Sequence, residues 1–313
     1  MERPAVLPSG EQYEISYGDQ RAVLVEVGGA LRSYQAGHRE ILDGYGADER
    51  CTGARGQTLA PWPNRLEDGC YAWDGEHLQV PLTEPEKHNA IHGLVRWASW
   101  TVLDRSTERV VLSHLLHPQP GYPFTVRVMN EYTLSADGLR VRTAAENLGA
   151  QACPVAFGAH PYLTVGSPRI DADLLRLPGR TFLPTDERGL PTGKKPVSGS
   201  RYDFRIPRKL GETEIDVAYT ELDRDLDGRA WVELTSPDGK VATSLWLDAS
   251  YKFLEIFTGD TLAQRPRQGL GVEPMTCAPN AFRSGDGLRR LAPGERLEGS
   301  WGIVPGKRPR IQG

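Results

Sequence analysis

Four stretches of this chain carry polar side chains that a plain scaffold does not call for. "AFGAHPYLTV" (156–165) sets His160 between a small, apolar run and Pro161. An imidazole, with an ordinary pKa of ~6.5, can lend and reclaim a proton near neutrality. "GLGVEPMTCAPNAF" (269–282) places Glu273 behind an apolar, glycine-rich lead. A carboxylate in low-dielectric surroundings has its pKa raised from ~4.3, which makes it a better base near neutral pH. "LAPWPNRLEDGCYAWDG" (59–75) brings Asn64 and Arg65 in after two prolines that bracket Trp62. Prolines make a rigid, extended entry, and a planar guanidinium held on it suits oxygen-rich ligands. "HNAIHGLVRWASW" (88–100) puts His92 before Gly93, where backbone can approach closely, with Trp97 and Trp100 near in sequence. Aromatic faces stack on the C–H faces of sugars while polar groups read the hydroxyls.

Taken singly, each stretch also has a plainer reading. His160 could be a structural imidazole satisfied by a backbone carbonyl. Arg65 and Glu273 could be surface charges, the tryptophans core filling, and His88 a surface residue. Metal chemistry finds little footing. His114 and His117 lie three apart on a strand-like run and so face opposite sides. There is no H-E-x-x-H and no acidic calcium loop. No G-x-S-x-G elbow appears. "GARG" and "GLG" are too short for phosphate loops, and the aspartates of 218–230 lack EF-hand spacing. No metal site, serine-hydrolase triad or phosphate loop is expected from these patterns.

The elements that must position these residues read as strands. Short β-rich runs such as "RVVLSHLL", "FTVRVMNEYTL" and "VATSLWLD" are punctuated by 34 glycines and 24 prolines. Phe124, Val126 and Val128 alternate with polar positions, the signature of a half-buried antiparallel strand. "SADG" (135–138) and "SPDG" (236–239) read as hairpin turns. The one helical expectation is a short turn near "ADER" (47–50). Many strands, frequent turns and almost no helix predict an all-β sandwich or barrel. With no Ser/Gly-rich linker, residues 1–313 read as a single domain, with a long surface excursion at 184–215 and a frayed tail at 305–313.

Composition narrows the partners. A net charge of −4 without long blocks gives no basis for nucleic-acid binding. The first sixteen residues lack an apolar signal core, and no apolar run approaches the ~20 residues of a membrane span. A cytoplasmic location follows as the expectation. Cys51, Cys70, Cys153 and Cys277 form no C-x-x-C pair and read as small, buried or semi-buried thiols.

Together the motifs say more than any one alone. N-R, N-x-x-H-G, H-x-Y, I-D-x-x-Y, T-G-D and a late E-P occur in this order between about residues 55 and 304. The combination resembles the aldose 1-epimerase (galactose mutarotase) family. The resemblance implies a large antiparallel β-sandwich (galactose mutarotase-like supersandwich) with an open sugar groove, working on free hexoses without metal or cofactor. It implies a small sugar as partner, no nucleic acid or membrane, and a monomer or homodimer. Carried over residue by residue, it assigns catalysis to Glu273, His160 and His92. Substrate binding falls to Asn64, Arg65, His92, Tyr162, Asp216 and Glu255. The chain departs from the family pattern in "HPYL", where Pro161 and Leu163 replace serine and phenylalanine. It departs again in "EIFTGD", where Glu255 replaces a glutamine.

The chemistry implied is mutarotation. Ionised Glu273 would take the C1 hydroxyl proton while protonated His160 gives one to the ring oxygen, O5. The aldehyde would rotate about C1–C2 and close again. His92 would steady the ring or C1 oxygens, with Arg65 and Asp216 on the remaining hydroxyls. Trp62 or Trp97 could line the groove. Three rivals stay open. A hexose-6-phosphate epimerase would recruit Arg65, Arg96 and the lysines of "GKK" (193–195). A non-catalytic carbohydrate-binding protein would use the same groove. A glycoside hydrolase would use Asp216 and Glu273 as its carboxyl pair.

Overall fold

The computed structural model describes residues 6–309. Where apolar residues recur at every second position, strands form. In the strand Val126–Ser135 every odd step is buried: Val126, Val128, Asn130, Tyr132 and Leu134. Among the described residues the strands pair antiparallel, with one isolated parallel bridge between Ala60 and Gly93, and both "SADG" and "SPDG" close hairpins. The chain is all-β, as expected. Its longest α-helical element among the described residues is the four-residue Ala281–Ser284. Residues 47–49 make a turn and bend, not a helix, because only Gly46 and Glu49 close a hydrogen bond there.

Three larger sheets and three two-stranded pairs build the architecture among the described residues. Four strands from Gln12 to Glu40 form an N-terminal sheet. A nine-stranded sheet runs from Thr101–Arg105 at one edge to Arg208–Lys209 at the other. An eight-stranded sheet contains the central neighbours Asp216–Leu222, Phe253–Phe257 and Leu270–Met275. One apolar cluster joins the two larger sheets, with Val128, Val232 and Leu245 from the first and Tyr219, Leu254, Ile256 and Val272 from the second. Asn130 ties the layers by donating to Thr58 Oγ1 at 2.6 Å and accepting from Thr143 Oγ1 at 2.9 Å.

Side chains alternate across a strand. Since Leu254, Ile256, Val272, Val217 and Tyr219 face the core, the residues between them face the other way. Asp216, Glu255, Phe257 and Glu273 therefore share the outer face of the eight-stranded sheet. That face is roofed where the site lies. The strands Arg65–Glu67 and Asn89–Ile91 pair over it. The 184–215 excursion folds back against this pair: Arg188 donates to the Lys87 and His88 carbonyls at 3.0 and 2.8 Å. Leu190, Val197, Phe204 and Leu210 pin the excursion with buried side chains, so it is anchored structure and not a loose surface loop.

No helix among the described residues is long and apolar enough to cross a membrane. All four cysteines are free; Cys51, Cys153 and Cys277 are buried and Cys70 is half-buried. Part of the 305–313 tail, residues 310–313, and residues 1–5 of the N-terminal stretch lie outside the described residues.

Candidate active site

The segment around His160 is interrupted strand. Gly158–Ala159 and Tyr162–Leu163 both pair with Leu270–Met275, Gly158 opposite Met275 and Tyr162 opposite Gly271. Pro161 has no N–H to give a ladder, but its carbonyl accepts from Val272 N–H at 3.0 Å. His160 is thus held across from Glu273. Its Nε2 lies 3.1 Å from Glu273 Oε1, and both side chains are about 95 % buried or more, at 5 % and 3 % relative exposure. Its backbone is fixed on the far side, donating to Gln57 at 3.2 Å and accepting from Gly56 at 2.9 Å. The Tyr162 ring stacks on the imidazole at 4.9 Å and 10°. The Tyr162 hydroxyl is committed to the Gly53 carbonyl at 2.8 Å.

His92 arrives from the roof. Gly93 beside it has φ +69°, and a Cβ there would stand 2.0 Å from the Ala60 carbonyl oxygen. Only glycine lets these backbones approach so closely. His92 N–H donates to the Asn64 carbonyl at 2.9 Å, and Asn64 N–H donates back to His92 Nδ1 at 3.1 Å. A ring nitrogen that accepts carries no proton, so the neutral ring holds its proton on Nε2. Burial first, then the charges of Arg96, His160 and Arg65, keep His92 well below the ordinary histidine range. His92 is therefore a neutral N–H donor.

This tautomer decides a second question. His92, His160 and Glu273 offer ligand-type atoms all within 4.8 Å of one another. A divalent metal needs a lone pair from each histidine. In His92, Nδ1 is occupied by the Asn64 amide and Nε2 carries the proton, so the cluster is arranged for hydrogen bonding and not for ligation.

Arg65 is clamped. Its Nε and Nη2 donate to Glu84 at 2.9 and 3.1 Å, and its Nη1 lies 3.7 Å from Asp216 Oδ2. Asn280, downstream of Glu273 in the same sequence segment, holds this strand by donating to the Arg65 carbonyl at 2.7 Å. Asn64 turns its side-chain oxygen onto the Arg65 N–H at 2.8 Å.

These groups surround a cavity of about 420 Å³, within the range of ~300–1,000 Å³ typical of small-molecule sites. Asn64, Arg65, His92, His160, Tyr162, Asp216 and Glu273 all line it. Roomier depressions exist, of about 710 Å³ beside the N-terminal sheet and about 590 Å³ around Arg176 and Trp231. Neither contains a histidine, so chemistry favours the smaller one. Glu255 is not in the cavity wall; it is buried one strand over, directly opposite Glu273. Trp97 lines the cavity, half exposed, whereas Trp62 packs on Phe282 at 5.3 Å and Trp100 is buried core. His88 is exposed and paired with Asp68.

Two participants were not legible as such in the sequence. Glu84, which anchors Arg65, sits in an ordinary charged run. Arg96, considered only for a phosphate, lines the cavity and has no carboxylate within 4 Å among the described residues. Its contacts are a 3.3 Å bond to the Ile91 carbonyl and the Trp97 ring at 6.0 Å. Lys194 pairs with Asp286 at 2.8 Å, and neither lysine of "GKK" reaches the cavity.

Protonation follows burial. Desolvation, with Arg96 second, pushes His160 down to about 3. Desolvation, with Asp216 second, pushes Glu273 well above the carboxylate range, against the pull of Arg65 and Arg96. With only protein around it, the pair rests neutral, the shared proton on Glu273. The pair Glu273⁻/His160⁺ differs from this by one proton moved along the 3.1 Å bond.

A β-sandwich carrying a buried carboxyl–imidazole pair, a neutral histidine donor and a clamped arginine around one sugar-sized cavity defines a class. The chain matches the aldose 1-epimerase family over residues 11–303 and belongs to it. It is 34 % identical to the uncharacterized protein YihR of Escherichia coli K12, over 92 % of this chain and 91 % of that one. It is 31 % identical to human galactose mutarotase over 50 % of this chain, spanning about half of that protein (47 %). Among solved structures, the GalM/aldose epimerase homologue of Caenorhabditis elegans superposes with a TM-score of 0.84 at 17 % identity, covering 95 % of this chain and 99 % of the other. Galactose 1-epimerase of Lactobacillus acidophilus gives 0.77 at 17 % identity over 95 % and 99 %. At these identities the two structures speak for the fold.

Proposed function

We propose that this protein interconverts the α and β anomers of a free aldose, such as glucose or galactose, by acid–base ring opening and closure. The observation that carries the reading is the 3.1 Å approach of His160 Nε2 to Glu273 Oε1 inside the cavity. Ring opening needs one proton removed from O1 and one delivered to O5. Glu273 as carboxylate accepts the O1 proton, the C1–O5 bond breaks with its electron pair going to O5, and His160 protonates O5. The C1–O1 bond becomes the aldehyde. The enzyme is left with neutral Glu273 and neutral His160, which is the protonation state burial favours. Closure on the other face of C1 returns both protons.

The fold therefore stabilises the enzyme state that holds the open-chain sugar. Hydrogen bonds to the bound sugar, with Arg65 and Arg96, favour the ionised carboxylate at the start. Positioned acid and base groups of this kind contribute ~10²–10⁴-fold each. The His92 Nε2–H is a donor for O1 or O5, Arg65 and Asp216 hold other hydroxyls, and Asn64 and Tyr162 act by fixing His92 and His160. The phosphorylated-sugar alternative has less support, since Arg65 is already neutralised and the lysines are remote, which leaves Arg96 alone among the described residues to meet a dianion. Polarimetry on freshly dissolved α-D-glucose and α-D-galactose tests the reading: enzyme shortens the approach to equilibrium rotation. Binding of the sugar with no acceleration on any aldose of a panel would leave a carbohydrate-binding protein instead.

A further inference from the structure

Glu255 is the buried carboxyl that the proton traffic leaves unused. It lies between two neighbours in register, opposite Ala218 on one strand and Glu273 on the other. Asp216, two residues before Ala218, shares its face. Such diagonal neighbours are ~7–8 Å apart along the backbone, within reach of a long side chain. That register brings the Glu255 carboxyl beside the Asp216 carboxyl on the outer face of the sheet. Two neighbouring carboxyls can hydrogen-bond only if one keeps its proton, and like charges side by side oppose ionising both. Asp216 is 44 % exposed at the cavity rim and faces Arg65 at 3.7 Å. Glu255 is 2 % exposed, and its Oε2 has no partner among the described residues. Charge is stable on the wetter, cation-paired group and costly on the dry one.

We propose that Glu255 is a positioning residue: as the neutral acid it donates a hydrogen bond to Asp216, aiming that carboxylate into the cavity. This rests on the anomer-interconverting reading for its kinetic consequence. Burial above all, then the charges of Asp216 and Glu273, holds Glu255 well above the ordinary carboxylate range, with Arg65 opposing. These three are the charged or titratable groups that bear on it from the neighbouring strands and the roof, and Tyr219 feels its charge from the core side. Losing the Glu255 proton at alkaline pH breaks the bond to Asp216 and sets a second charge beside Glu273.

The test compares full-length wild type with Glu255→Gln and Glu255→Ala. Infrared difference spectra of wild type minus Glu255→Gln at neutral pH are expected to contain a protonated-carboxyl C=O band. Anomer-exchange kinetics are expected to show KM raised about tenfold in Glu255→Ala, the worth of one hydrogen bond to a charged group, and largely restored in Glu255→Gln. Glu255→Gln should also flatten the alkaline fall in activity. Absence of the acid band overturns the proposal, as does a Glu255→Gln enzyme that keeps the wild-type alkaline fall. If the alanine variant does not fold, the glutamine variant decides alone. If wild type accelerates no aldose, the functional reading fails, while the infrared band still decides the state of Glu255.

Discussion

His160 Nε2 lies 3.1 Å from Glu273 Oε1 because one strand, Leu270–Met275, pairs with both short segments that flank the histidine. The register that makes the sheet also makes the acid–base pair. Substitutions around the pair can therefore be sorted by whether they touch chemistry, orientation or fold.

His92 acts as a fixed donor. His92→Ala should lower kcat by ~10²–10³-fold, the scale of losing one preorganised donor, with little change in the pH profile. Single-turnover anomer exchange measures it. A shifted pH profile with normal kcat would contradict the donor role.

Gly189 packs on the Arg65 guanidinium, and a Cβ at φ +75° would lie 2.5 Å from Nη1. Gly199 has the same φ with nothing within 4 Å. Gly189→Ala should raise KM about tenfold by displacing Arg65, while Gly199→Ala pays the same backbone strain, of order 1 kcal/mol, and keeps wild-type KM. Equal KM values for both would show that Arg65 does not bind the substrate.

Glu84 balances Arg65, whose side chain is 9 % exposed. Glu84→Ala should destabilise the fold by ~3 kcal/mol, as removal of one partner from a buried ion pair does. Denaturant unfolding checks this, and a loss below ~1 kcal/mol would show that Asp216 alone suffices.

Stability should depend on pH from both sides. The His160 pKa is pushed down to about 3 and that of His92 well below its usual range. Between ~6.5 and about 3 the unfolded chain binds protons that the folded protein refuses, so stability falls as pH falls. Glu273 and Glu255 are shifted upward. Above ~4.3 the unfolded chain releases protons that the folded protein keeps, so their contribution is lost as pH rises toward their folded values. Glu273→Gln should gain in melting temperature over wild type more at pH ~8 than at pH ~5. A pH-independent difference would contradict the upward shift.

Much of this was legible in the chain itself. Alternation at Phe124, Val126 and Val128 marked a strand, the D-G turns marked hairpins, and the combination of motifs marked the family. The cavity also gathers His160, Glu273, His92, Arg65 and Asp216, which no single spacing required. What stayed hidden depends on tertiary contact. Glu84 looks like any surface acid until Arg65 folds onto it. Arg96 stands between Val95 and Trp97 with nothing local to say that it faces the cavity. The excursion at 184–215 reads as surface because its anchors, Val197 and Phe204, are single apolar residues without period. The motif order puts Glu255 among the sugar contacts because it cannot tell a wall residue from the one behind it. Residues 47–49 do turn, but the turn does not extend into a helix, since only Gly46 and Glu49 bond to each other there.

The most direct test of the acid–base pair is polarimetry of fresh α-D-galactose and α-D-glucose with wild type and Glu273→Gln, each shown folded by circular dichroism. The account predicts rapid equilibration by wild type and a rate reduced by ~10²–10⁴-fold in the variant, with native spectrum and undiminished melting temperature. A folded Glu273→Gln enzyme that equilibrates either sugar at the wild-type rate would contradict it.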